Sequence, residues 1–396
     1  MEKWDIHYLR HIRNILTVFA IALLVFVLKA GGEIIIPFVI SVFIFLLVNP
    51  MLNKLDRLKV PNLLSIVTVL VIVVLVFVVF VYTVFQMVNT LLSRIGTYAE
   101  RVAEFDAFIS VYLARLFDAD PEGYSFLASL NIDWLSLLRG YLTSFSSRFL
   151  GIMSDAMMCF VYLLFLLMER RSFAPKMMAI LTRDKGERFT KLAMKMNRQV
   201  SKYIFLKIII SAATGVMFYL VSVLTGLDFA LVWGVLAFVL NFIPTIGSIV
   251  VTVGTIIMAI IQFMPQWGYI IYVGIMMVSI EMVIGNIIDP KLQGVQLNIS
   301  PIMILVSLAF WGYIWGLVGM FLAVPLTSMM QIVCANIPAL KPVAIFLSTG
   351  KFLSFGRKED KKGRRRKKES SEDDESFDVE MPIGKNPDEA DDDFND

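Results

Sequence analysis

Residues 229–263 form 35 consecutive positions without a charge, and this run limits the possible folds more than any other feature of the chain. As one straight α-helix at about 1.5 Å per residue it would extend roughly 50 Å, against a hydrocarbon core about 30 Å thick. A single span is a poor fit. In its middle stands NFIPTIG, where Pro244 lacks an amide proton and its ring clashes with the preceding turn, while Gly247 accepts backbone that other residues resist. The pattern predicts a break over residues 241–247. Residues 301–331 repeat it, with Gly312, Gly316 and Gly319 near the centre and Pro325 beyond. Paired, interrupted apolar runs predict unwound backbone facing a cavity, because such backbone finds no partners in lipid.

With 58% hydrophobic and 17% charged residues among 396, the chain carries more apolar surface than a soluble core can hide. The expected fold is an all-α polytopic membrane protein with six to eight membrane segments, two of them broken helical hairpins. The net charge of +3 conceals segregation, since charges gather in the loops, one central segment and the C-terminal end. Cys159 and Cys334 fall in predicted spans and form no CxxC pair, so they read as packing residues. Basic residues precede the first apolar run, but Leu28 and Lys29 before Ala30 make a poor cleavage site, so this run reads as an uncleaved span.

Apolar runs at 14–28, 34–48 and 61–86 predict N-terminal membrane segments within residues 1–88. Residues 89–148 read as an external amphipathic segment, with Leu91, Ile95, Val102, Phe105, Tyr112 and Leu116 at helical spacing among charges and a turn at 118–123. A fourth span at 149–168 leads into residues 169–202, where ten basic residues stand against three acidic ones. The excess places this segment in the cytoplasm. There Phe189, Leu192, Met196, Val200 and Tyr203 share one helical face and Lys191, Lys195, Arg198 and Lys202 the other, which predicts an interfacial helix on anionic lipid rather than a nucleic-acid surface. Residues 149–205 form that unit and 206–340 the core with both hairpins. If the broken runs cross, the chain makes eight crossings; if they re-enter, six. Length favours re-entry, and either way both termini are cytoplasmic. Residues 341–396 read as a solvated tail, with ten basic residues at 351–368 and thirteen acidic ones at 369–396.

No HExxH, GxSxG or P-loop is present, and His7 and His11 lack a third ligand nearby, so neither an enzyme nor a cofactor or metal is expected. The informative polar residues lie in or beside the apolar runs. Glu281 stands inside the span 267–288, with Asn286 and Asp289 following, and a carboxylate at membrane depth must face a cavity, hold a proton or meet a cation. Around the first break, Asn241, Thr245 and Ser248 offer side-chain oxygens, and free amides near Gly247 would attract a polar or anionic solute. Gly312 and Gly316 form a GxxxG that close helix packing explains equally well.

NFIPTIG, the run from Glu281 through NIIDPKLQG, the NISP that follows, and GYIWGLVGMFLAVPL together resemble the autoinducer-2 exporter family of bacterial membrane proteins, over roughly residues 9–338. The resemblance implies a homo-oligomer, a pentamer in that family, whose protomers carry two helical hairpins and move substrate by an elevator-type motion. It assigns Asn241, Pro244, Gly247, Glu281, Asn286, Pro290, Gly312, Gly316, Gly319 and Pro325 to the hairpins and the helix between them. The expected function is secondary transport of a small polar solute, autoinducer-2-like by the resemblance, across a bacterial plasma membrane, with Glu281 coupling to a proton or cation. The family's sodium-proton antiporters are the alternative. A different class, an oligomeric membrane scaffold, would use the external segment and charged tail as partner surfaces.

Overall fold

The computed structural model describes residues 2–116, 125–129, 134–180, 183–289, 291 and 299–349. The expected turn at 118–123, Pro290 and the charged run from 351 lie outside the described residues, as does the side chain of His7. The chain is an all-α polytopic membrane protein.

Helices α1 (Glu2–Ala30) and α2 (Gly32–Arg57) meet at Gly31. They are followed by α3 (Asn62–Leu116), the short α4 (Phe126–Ser129), α5 (Trp134–Ile180) and α6 (Arg183–Leu224). Of these, α3, α5 and α6 run past the boundaries expected from composition. At 55 residues, α3 passes through position 88 without interruption, so the external amphipathic segment begins as a continuation of the third span. The basic helix likewise runs straight into the fifth span as α6. Charge ends an apolar run but not a helix, and no proline or glycine stands at either join. Residues 341–347, grouped with the tail by composition, are helical.

Arg170 and Arg171 of α5 both pair with Asp56 of α2, the latter at 2.8 Å, and define a basic end of the bundle. The hydroxyl of Ser201 donates to the Leu46 carbonyl, so α6 climbs alongside α2 from that end towards the far one. Leu52, Val69, Leu163 and Leu167 fill the space between α2, α3 and α5.

Both interrupted runs double back. In the first, α7 (Ala230–Leu240) descends along α6, with Gly234 against Gly215 and the Asn241 amide donating to Ser211 at 3.0 Å. α8 (Ile246–Phe263) then returns: Gln262 accepts from the Asp228 amide and donates to the Gly226 carbonyl, each at 2.7 Å. The start and finish of this run therefore lie together at the far end. α9 (Trp267–Val283) descends from there into a π-helical turn at Ile284–Ile288.

In the second run, α10 (Pro301–Asn336) reverses at Trp315 and Gly316, whose φ of 60° and ψ of −139° suit only glycine. Its arms touch where Ser307 donates to the Ala323 carbonyl at 3.0 Å and Trp311 to the Thr327 hydroxyl at 3.3 Å. α11 (Lys341–Leu347) brings the chain back to its starting level, where the Ser300 amide donates to the Leu347 carbonyl at 3.0 Å. The tip reaches the α1–α2 junction, with the Trp315 indole donating to the Leu28 carbonyl at 2.9 Å. This hairpin thus opens at the basic end and the first opens at the far end. Eight helices among the described residues are long and apolar enough to cross a membrane. Ile246–Phe263 and Pro301–Asn336 belong to the two reversals, which leaves six straight spans.

Candidate functional site

The first hairpin tip, α6, α8, α9 and the π-helical turn line an open cavity of about 430 Å³. Asn241, Pro244, Thr245, Ser248, Glu281, Asn286 and Asp289 all line it, so the polar residues singled out in two separate runs are brought to one place. Local geometry explains the convergence. Thr245 carries a φ of 65° and ψ of −52°, a conformation that β-branched residues avoid, and it turns the chain abruptly into α8. Glu281 and Asp289 would stand about 80° apart around a regular α-helix. The wider π-helical turn between them unwinds part of that angle, and both carboxyl groups reach the same cavity.

Gly247 plays a different part from the lining residues. A Cβ there would overlap the Leu240 carbonyl, so the glycine lets α8 start against the end of α7. The Asn241 amide is occupied by Ser211, and residue 241 is buried. Glu281 packs over Gly285 and shares the cavity wall with Ser248.

Gly312, Gly316, Gly319 and Pro325 do not line the cavity. Gly316 makes the second reversal, Gly312 and Gly319 lie where its arms touch, and Pro325 sits inside the returning arm, which continues through it. The two tips do meet, but through apolar groups. Ile243 packs among Leu308, Trp311 and Trp315, and Phe242 stacks on Phe321 with ring centroids 5.9 Å apart. The second hairpin therefore buttresses the first behind the cavity wall instead of contributing to its lining.

Lys207 also lines the cavity, although it is not among the polar residues that the sequence alone singles out. Its side chain is 3% exposed and its Nζ lies 3.1 Å from Asp289 Oδ2. The signal was available: the apolar pattern on one helical face continues unbroken from Val200 through Tyr203 to Ile210, which puts position 207 inside the bundle.

The far end of the first hairpin is gripped by the part of α3 beyond the third span. Arg94 approaches Asp228 at 3.4 Å, the Tyr98 hydroxyl donates to the same carboxylate, and Arg101 donates to the Gln262 carbonyl at 3.5 Å. Burial, and then the Asp228 carboxylate, push the Tyr98 hydroxyl well above the ordinary tyrosine range.

No described group of three or more His, Cys, Asp and Glu is placed to hold a metal ion. The lining offers hydroxyls, amides, two carboxylates and an ammonium, groups able to hydrogen-bond or pair with a polar solute. Six spans, two opposed hairpins and a polar cavity beside one tip define a membrane transporter built on broken helices. Comparison with known proteins then gives the family. The pattern described as AI-2E family transporter matches residues 15–339, and the chain belongs to that family. A Borreliella burgdorferi protein whose name proposes a transport role and gives no substrate is 35% identical, over 82% of this chain and 88% of its own length. The AI-2 transport protein TqsA of Escherichia coli is 28% identical, over 81% of this chain and 91% of its own.

Proposed function

We propose that the protein is a secondary transporter of the bacterial plasma membrane that exports a small polar solute, with Glu281 as the group that couples flux to a proton or cation. The observation that carries this reading is the cavity itself: seven polar residues from two distant runs and a membrane-depth ammonium face one space beside a hairpin tip. Autoinducer-2, named for one relative, is a small polar compound of the size such a space can hold. Hairpins opening at opposite ends suit an elevator-type motion, in which α7, α8, α9 and α10 travel together against α2, α3 and α5. The basic end faces the cytoplasm by its excess of lysine and arginine, and both termini lie there. Protomers assemble into a homo-oligomer, a pentamer by family resemblance, leaving the exposed apolar faces of α1 and α3 for lipid or a neighbouring copy.

Sodium-proton antiport is the second reading, and the lining favours it in one respect, because two carboxylates face one ammonium. Proteoliposomes carrying the wild-type chain and Glu281→Gln separate the readings. Exporter activity appears as efflux of autoinducer-2 lost on substitution, and antiport as sodium-driven proton movement lost on substitution. If the variant matches the wild type in both assays, the coupling role of Glu281 is wrong.

A further inference from the structure

The charges around the cavity do not balance. Glu281 and Asp289 bring two carboxylates and Lys207 one ammonium, while every other lining residue is uncharged. Lys207 pairs with Asp289 at 3.1 Å, and its field also reaches Glu281. Among the described residues no cation forms an ion pair with Glu281, which shares its stretch of the cavity wall with the uncharged Ser248. On the same wall the Thr252 oxygen is buried without a hydrogen-bond partner. An uncompensated negative charge at membrane depth is costly, and a single monovalent cation brings the sum to zero.

We propose that Lys207 is a tethered counter-charge that sets the capacity of the cavity at one monovalent cation per protomer. The ammonium occupies one of two places that a free cation would otherwise take, and its covalent attachment means it never leaves with the solute. This rests on the reading that Glu281 couples transport to a cation.

The test is equilibrium binding of radioactive sodium at pH 8 to the purified full-length protein, with folding checked by gel filtration. The wild type should bind one sodium per protomer and Glu281→Gln none. Asp289→Asn should bind none, because Lys207 then neutralises Glu281, and Lys207→Met should bind two. The decisive variant is the pair Lys207→Met with Asp289→Asn, which restores the wild-type charge and should recover one sodium. If Lys207→Met fails to fold, Asp289→Asn and the double variant still carry the test. A double variant that stays at zero means Asp289 is itself a ligand and overturns the counter-charge role. So does an Asp289→Asn protein that still binds one sodium. A wild type that binds none sinks both this role and the cation coupling on which it rests, whereas one lost in Glu281→Gln but kept in Asp289→Asn sinks this role alone.

Discussion

Gly247 and Gly316 both stand where the chain reverses, and their substitution should fail for different reasons. A Cβ on Gly247 would overlap the Leu240 carbonyl, which is backbone and cannot swing away, so Gly247→Ala must open the first tip. The expected cost is about 1–3 kcal/mol. Gly316 has open space around it, and there the penalty is conformational, since a φ of 60° with ψ of −139° strains any other residue by about 1–3 kcal/mol. Gly268→Ala, with nothing within 4 Å, should unfold at the wild-type temperature. Thermal unfolding of the three variants in detergent checks this, and a Gly316→Ala protein as stable as Gly268→Ala would contradict the account. Lys207→Met should also be strongly destabilising, by about 3–5 kcal/mol, because it removes the buried ammonium paired with the Asp289 carboxylate. At this scale the sequence was most readable where chemistry is local. Pro244 and Gly247 break a helix wherever they stand, and Glu281 is conspicuous among apolar neighbours. Lys207 is inconspicuous because it follows Lys202 closely, where a basic segment gives way to an apolar one.

Among the elements, α3 departs furthest from what its sequence suggests. Amphipathic spacing beyond residue 88 is the same whether a helix lies on a surface or projects as a rod, and only tertiary contacts tell them apart. Those contacts are Arg94, Tyr98 and Arg101 on the far end of the first hairpin. Tyr98→Phe removes the hydroxyl donated to Asp228 and should cost about 1 kcal/mol, read as faster amide exchange over residues 226–230. The contact also has a pH signature. Because the folded protein raises the Tyr98 pKa, the stabilisation is fully present below the ordinary tyrosine value of about 10 and is lost as pH rises through the higher folded value. The stability difference between wild type and Tyr98→Phe should therefore hold at pH 8 and shrink at strongly alkaline pH. A difference that grows with pH would mean that the hydroxyl is not the donor.

At the scale of the whole molecule, the opposed hairpins make a simple labelling prediction. Leu224→Cys and Gln266→Cys flank the first hairpin, and membrane-impermeant thiol reagents should reach both from one side only. Ser300→Cys and Thr349→Cys flank the second and should react from the other side. If Leu224→Cys and Gln266→Cys report opposite sides, the first run crosses the bilayer and the cavity has been assigned to the wrong topology.

Length and charge alone settled that this chain lives in a membrane and that its two long apolar runs must be interrupted, because 35 uncharged residues exceed the bilayer and proline and glycine mark where the ladder of hydrogen bonds fails. The sequence could not decide what those interruptions face. Tertiary packing turned one tip towards a polar cavity and the other towards an apolar wall, and it set Lys207 against Asp289, 82 positions away in the sequence. Such pairings depend on which helices lie side by side, and that is fixed by the fit of whole surfaces rather than by the preferences of any one segment.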